Sequence, residues 1–192
     1  VAESIGFWEL PKPKEKEKIE WRPIPRVSKT IPFGYKESTT DENILTPIED
    51  ELNALEQAKI AFSLAEVPIG AIIVKDGEII GKGYNSVISQ NSVNCHAELN
   101  AITDASNTIQ NYRLLNCDIY ITVEPCHMCC MAIVHARINN VFFGSKQPKM
   151  GAVISVDSFF DHPFLNHKVS YNNGYELKES KQLLEKFFKA RR

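Results

Sequence analysis

Apolar side chains recur at three- and four-residue steps through Ile48, Leu52, Leu55, Ala58, Ala61 and Phe62, which predicts a helix with one buried stripe ending near Ala65. The period then changes. Ile69 to Val74 and Ile79 to Tyr84 read as two strands, and Lys75-Asp76-Gly77-Glu78 joins them, because Asp-Gly accepts the positive φ angles of a tight hairpin. Further along, the pattern predicts a helix from about Cys95 to Ala105, a β-branched strand from Asp118 to Val123 and a helix from Cys126 to Arg137. A strand over Asn139 to Phe143 and an amphipathic helix from Glu176 to Lys189 follow, the latter carrying Leu177, Leu183, Leu184, Phe187 and Phe188. Strands interleaved with helices of this length give a layered α/β domain over residues 49–192.

The first 48 residues do not share this patterning. Five of the ten prolines and both tryptophans (Trp8 and Trp21) fall within the first 32 positions, around the charged run Lys12 to Glu20. Proline removes amide donors and fixes φ, so an extended arm is expected there instead of a core element. Two Trp and Phe33 are costly to leave in water, which favours partial docking of the arm onto the domain or a partner.

Composition narrows the classes only a little. The 43% of hydrophobic residues suffices for a real core, and the formal net charge of -2 gives no bulk attraction to nucleic acid, so any RNA contact must come from local patches. No apolar run approaches the roughly 18 residues of a membrane span, and no basic-then-apolar leader pattern opens the chain. The five cysteines include Cys126, Cys129 and Cys130 crowded together, a spacing suited to metal or redox chemistry in a reducing, cytoplasmic setting and not to a disulfide framework. Cys95 and Cys117 are expected to be small buried apolar groups.

Candidate chemistry is concentrated in His96-Ala97-Glu98 and Pro125-Cys126-His127-Met128-Cys129. His96, Cys126 and Cys129 supply three ligands of the type zinc takes, with a fourth position left for water, as in catalytic sites. Both halves fall where a helix begins, and unpaired amides there favour thiolate over thiol. Cys126 and Cys129 share a helix face, whereas Cys130 is rotated away. His96 and Glu98, two apart, converge only if the first helical turn is irregular. Zinc lowers the pKa of a bound water, and Glu98 beside it can take the proton and return it to a ring nitrogen and a departing amine. This H-x-E…P-C-x-x-C order is the general signature of zinc-dependent nucleobase deaminases. His127 reads as a spacer between the cysteines, and His135, His162 and His167 read as surface or hydrogen-bonded histidines.

Around these motifs, Val67-Pro68-Ile69-Gly70-Ala71, Gly83-Tyr84-Asn85, Asn111-Tyr112-Arg113-Leu114, Ala136-Arg137-Ile138, Lys149-Met150-Gly151-Ala152 and His162-Pro163 through Asn166-His167 stand in order. With them, residues 49–192 resemble the tRNA adenosine deaminases of the TadA type. The resemblance implies a three-layer α/β/α cytidine deaminase-like fold with a mixed central sheet. It further implies one Zn2+ per subunit on His96, Cys126 and Cys129, with Glu98 as proton shuttle and Asn85 hydrogen-bonding the purine edge. Val67 and Ala97 would form pocket wall and pocket backbone, and Pro125 the preceding turn. The implied substrate is adenosine at the wobble position of a tRNA anticodon stem-loop, flipped out of its stack, and the implied assembly is a homodimer.

Two departures stand out. Gln147 occupies a loop position that is usually acidic in the family and approaches the sugar, so discrimination of RNA from DNA through the 2′-hydroxyl is open. The N-terminal arm has no counterpart in the common bacterial form. Lys146, Lys149, Lys168, Lys189, Arg191 and Arg192 offer a basic set for phosphates, with Lys149 beside the pocket loop. Three rival readings share the zinc motif: a deaminase of free nucleotides or bases such as dCMP, cytosine or guanine, a non-catalytic subunit, and a single-stranded DNA adenosine deaminase. Retention of Glu98 counts against the non-catalytic subunit.

Overall fold

The computed structural model describes residues 45–173 and 178–191, with side chains described from Glu49 onward. The arm expected over 1–48 therefore lies outside the described residues except for its last four positions, which already belong to the first helix. The elements run α1 (Leu45–Ser63), β1 (Gly70–Lys75), β2 (Glu78–Tyr84), α2 (Ala97–Ile109), β3 (Cys117–Val123), α3 (His127–Ala136), β4 (Asn140–Ser145), a 3₁₀ turn at Phe159–Asp161, β5 (Ser170–Asn172) and α4 (Lys178–Lys189).

The five strands form one sheet in the order β2-β1-β3-β4-β5. β1 pairs antiparallel with both β2 and β3, while β3, β4 and β5 run parallel. The β1–β2 turn is the expected one. Asp76 and Gly77 both take positive φ, 51° and 81°, as the primed two-residue hairpin turn requires.

Central strands β1 and β3 are buried on both faces, and alternate residues go to different layers. Ala71, Ile73, Ile119 and Ile121 face a core shared with Ala97, Ala101 and Ala105 of α2 and Cys130, Ile133 and Val134 of α3. Ile72, Val74 and Tyr120 face the opposite way, against Ala54 of α1. Tyr120 stacks there on its register partner Phe142, with ring centroids 4.7 Å apart. On the same side α4 is tied down by Ser180 Oγ donating to Thr122 O, by Lys59 bridging Glu56 and Glu179, and by Arg191 just beyond it donating to Ala65 O. The result is the expected three-layer α/β/α arrangement with a mixed sheet.

Three expectations need correction. The site helices begin later than their motifs, at Ala97 and His127 instead of Cys95 and Cys126, because His96 and Cys126 are extended N-cap residues. A fifth strand, β5, was not expected. Its three residues are all exposed and carry no apolar alternation, so nothing in the local pattern announces it. Cys95 is only partly buried, whereas Cys117 is fully buried in the core as expected.

Candidate active site

Helix α2 reaches the site through unusually close contact with β2. A Cβ on Gly83 would lie 2.2 Å from Ala97 O, and one on Gly81 would lie 2.5 Å from Ala101 O, so only glycine permits this approach. Ala97, Ala101 and Ala105 supply the matching small face at four-residue spacing. Asn100 adds polar anchors, donating to Tyr84 O at 2.8 Å and Ser86 Oγ at 3.1 Å. Ser86 N in turn donates to Cys95 O at 2.9 Å and closes the loop that carries Asn85 and His96. Helix α3 starts directly beyond the carboxyl end of β3, where Glu124 N donates to Ser145 O at 2.8 Å and sets the strand's exit.

With His96 at φ -72° and ψ 153°, its ring leaves the helix before the first turn closes. The expected irregularity is thus a change from extended to helical backbone between His96 and Ala97. Cys126 repeats the device at the start of α3 and lies opposite Cys129 one turn on. The three ligand atoms converge: His96 Nδ1 is 3.8 Å from Cys126 Sγ and 3.4 Å from Cys129 Sγ, and the two sulfurs are 3.6 Å apart. A tetrahedral zinc with ordinary bond lengths has S···S edges of about 3.8 Å and S···N edges of about 3.6 Å, so the donor set fits that ion in type and in span. Among the described residues this is the one His/Cys/Asp/Glu group of three or more so gathered.

Electrostatics in the site agree with this use. A hydrogen bond from the Cys129 thiol, opposed by burial and reinforced by His96, brings Cys126 down to about 4. Cys129 is correspondingly held far above an ordinary thiol by Cys126 and by burial. Cys126 also raises His96. Glu98 is 4% exposed, and burial with the nearby Cys126 charge pushes its carboxyl above the ordinary value. A carboxyl so placed, beside the ligand atoms and out of bulk water, is in position to take and return a proton.

His96, Glu98 and Cys126 open onto a cavity of about 330 Å³, whereas Cys129 is fully buried and does not line it. Val67, Asn85, His96, Glu98, Cys126 and Gln147 line it, so six of the predicted site residues share one space. Ala97 and Pro125 do not line it. Ala97 is buried beneath β2, and Pro125 is a buried turn whose carbonyl accepts from Ala152 N at 2.9 Å. Lys149 is exposed outside the cavity, while Lys146 and Lys189 border a neighbouring groove. Arg191, assigned above to a phosphate-binding set, donates to Ala65 O and covers Phe187, so it fastens α4. Cys130 points away from the site, toward Pro125 O at 3.7 Å. His127 is exposed and pairs with Asp157 at 3.1 Å.

Sequence reasoning missed two lining residues of consequence, Glu66 and Glu124. Glu66 accepts from Ser89 N at 2.7 Å, Ile88 N at 3.2 Å and Asn85 Nδ2 at 3.4 Å. Glu124 accepts from the backbone N–H groups of Gln147, Val153, Ile154 and Ser155 at 2.7 to 3.0 Å and from the Ser155 hydroxyl. The available signal was a charged residue between apolar neighbours, as in Val123-Glu124-Pro125.

The comparison with known proteins bears on this geometry directly. A family model for MafB19-like deaminases matches residues 51–192. A tRNA-specific adenosine deaminase of Aquifex aeolicus is 46% identical over 139 residues, covering 72% of this chain and 91% of that protein. The chain belongs to the tRNA-specific adenosine deaminase family. Another member, from Haemophilus influenzae, is 44% identical across 72% of this chain and 81% of its own length. A solved structure from a study of A-to-I editing by tRNA:A34 deaminases at the wobble position superposes with a TM-score of 0.69 at 38% identity, over 71% of this chain and 99% of that one. Family membership makes this chain a deaminase with the cytidine deaminase-like fold.

Proposed function

We propose that this deaminase converts adenosine to inosine in RNA, at the wobble position of a tRNA anticodon loop, with one zinc ion held by His96, Cys126 and Cys129. The observation that carries the reading is the convergence of those three ligand atoms beside buried Glu98, in a cavity that also contains Asn85. When bound there, zinc would supply Lewis-acid activation of water, making it nucleophilic near neutral pH.

The chain's own residues account for the rest. Asn85, 5% exposed, presents an amide to the purine edge and holds the base in the cavity. Val67 forms part of the wall beside it. Glu98 accepts a proton from the attacking water, protonates the ring nitrogen beside the carbon under attack, and then assists departure of the exocyclic amine. The new C–O bond replaces the C–N bond, and ammonia leaves. Because the reacting carbon must reach the cavity floor, the base has to leave its stack, and a single-stranded loop lowers that cost.

Residues 49–192 constitute the deaminase domain in this reading, and residues 1–48 an extension for RNA or a partner. Ile88 and Met150, 59% and 62% exposed at the cavity rim, support burial by a second copy or by substrate, and a homodimer is the assembly we assign. Cytoplasmic action follows from the substrate, and no helix of the described residues is long and apolar enough to cross a membrane.

The deciding test is incubation with an anticodon stem-loop, its DNA counterpart, free adenosine, cytidine, dCMP and guanine, followed by quantification of inosine, uridine and ammonia. Inosine in the stem-loop alone is expected. Turnover of a free base or nucleotide in preference to the stem-loop overturns the substrate assignment. In the same preparations Cys129→Ser should lower zinc content and thermal stability together.

A further inference from the structure

Two buried carboxylates at the cavity lie outside the metal motif, and their bonding has a common form. Glu66 is fully buried and Glu124 is 3% exposed, yet among the described residues neither forms an ion pair. A buried carboxylate without a cation is costly unless its lone pairs are otherwise satisfied. Here they are satisfied by N–H and O–H groups from loops far away in sequence.

Each carboxylate is rooted in a rigid element. Glu66 follows α1, and its own N–H donates to Ala61 O at 2.9 Å. Its side chain then reaches 19 to 23 residues ahead, to Asn85, Ile88 and Ser89. Glu124 follows β3 and reaches 23 to 31 residues ahead, to Gln147 and the segment Val153 to Ser155. That loop wraps the carboxylate so closely that a Cβ on Gly151 would lie 2.3 Å from Glu124 Oε2. Both loops contribute to the cavity lining, one through Asn85, Val87 and Ile88 and the other through Gln147 and Met150.

We propose that Glu66 and Glu124 are paired positioning residues, each tying one loop wall of the cavity to the scaffold and so setting the width available to the target base. The inference rests on the reading that the base binds in this cavity. It assigns neither residue a part in proton transfer. Glutamine is the informative replacement, since it keeps the volume but turns one acceptor into an N–H group facing other N–H groups. The expected cost is in substrate binding, because the walls meet the base before reaction and in the transition state alike.

The test uses the zinc-loaded full chain with Glu66→Gln, Glu124→Gln, the milder Ser155→Ala, which removes one donor to Glu124, and the exposed Glu56→Gln as control. For the first two, KM for the stem-loop should rise at least fivefold while kcat per bound zinc stays within threefold; Ser155→Ala should show a smaller rise of the same kind. Lower thermal stability with unchanged KM, or loss of zinc in step with activity, overturns the proposal. Amide exchange, which needs no substrate, should accelerate at residues 88–89 in Glu66→Gln and at 153–155 in Glu124→Gln, each leaving the other segment protected. Equal exchange in variants and parent also overturns it. A parent protein that leaves the stem-loop unbound while both segments show these local responses would instead count against the substrate assignment alone.

Discussion

The floor of the cavity and its walls are built by different means. The floor consists of two helix starts, α2 and α3, locked against the sheet by backbone-to-backbone contact at Gly81 and Gly83 and by the exit of β3. The walls are irregular segments, residues 85–89 and 147–155, whose places depend on a few hydrogen bonds to Glu66 and Glu124. Close packing tolerates almost no displacement, whereas a hydrogen-bonded loop can be re-sequenced while its anchor persists. In the proposed reading, reaction chemistry sits on the first kind of structure and substrate choice on the second. Damage to the floor should therefore appear in kcat and metal, and damage to the walls in KM and selectivity.

The largest expected effect lies on the floor. Glu98→Gln keeps the volume of a fully packed side chain but removes the proton shuttle, so kcat should fall by about 10²- to 10⁴-fold or more with zinc content and fold unchanged. Single-turnover inosine formation checks this, and near-normal turnover would end the assigned role. If KM rose instead, with kcat preserved, Glu98 would belong with the walls and the contrast would collapse.

A second, smaller effect tests how the floor is held. Ala101 is fully buried on α2, with its carbonyl poised over Gly81. Ala101→Leu should overpack this contact, cost about 1–3 kcal/mol and lower Tm by several degrees. Since α2 carries Glu98 and is capped by His96, kcat and zinc retention should decline with it while KM moves little. Thermal melts with parallel metal analysis decide the matter; intact zinc with a raised KM would show that the wall loops depend on the same contact.

How far these features could be read from the sequence depended on how local their causes are. The Asp76-Gly77 turn and the strand over Ile69 to Val74 were legible because a turn residue and a short apolar run act within a few positions, whereas which of Ile72, Ile73 and Val74 faces which layer was not. The metal group was legible because its ligands stand three apart in one motif and 30 residues from the other. That both motif halves stand at helix starts was legible too, but the exact boundary, with His96 and Cys126 as extended N-caps, was not, since the motif does not say which residue takes the first helical dihedrals. Nor were Glu66 and Glu124, whose partners lie up to 31 residues away and are mostly backbone N–H groups, which almost any sequence would supply. β5 arises from pairing with β4 and not from its own exposed residues.

Acid should act on the walls more gently. Burial raises the Glu66 carboxyl, but the N–H groups of Ser89 and Ile88, with Ser89 Oγ and Asn85, bring it below its ordinary 4.5. A carboxyl depressed in the folded state contributes its stability in full above the unfolded value, and loses it as pH falls through the folded one. Glu66→Gln should therefore be less stable than the parent near neutral pH, with the gap narrowing below about pH 4.5. Paired denaturant melts at pH 7 and pH 4 measure the difference between the two proteins, which removes any common effect of metal loss. A gap that stays constant or widens in acid would mean that the carboxylate charge contributes nothing to the wall.

The smallest effect concerns selectivity. Gln147 lines the cavity and its backbone N–H is fixed to Glu124 at 3.0 Å, so its side chain can change without moving the loop. A neutral amide at this position can accept from a 2′-hydroxyl, while a carboxylate accepts more strongly and also repels a nearby phosphate. Gln147→Asp should thus improve the ratio of kcat/KM for the RNA stem-loop over its DNA counterpart by several-fold, the change expected for about 1 kcal/mol. Competition between the two substrates in one reaction reads that ratio directly. An unchanged ratio would remove Gln147 from sugar recognition and leave the wall as a spacer for the base, whereas a change confined to kcat would mean that the loop reaches the reacting group itself.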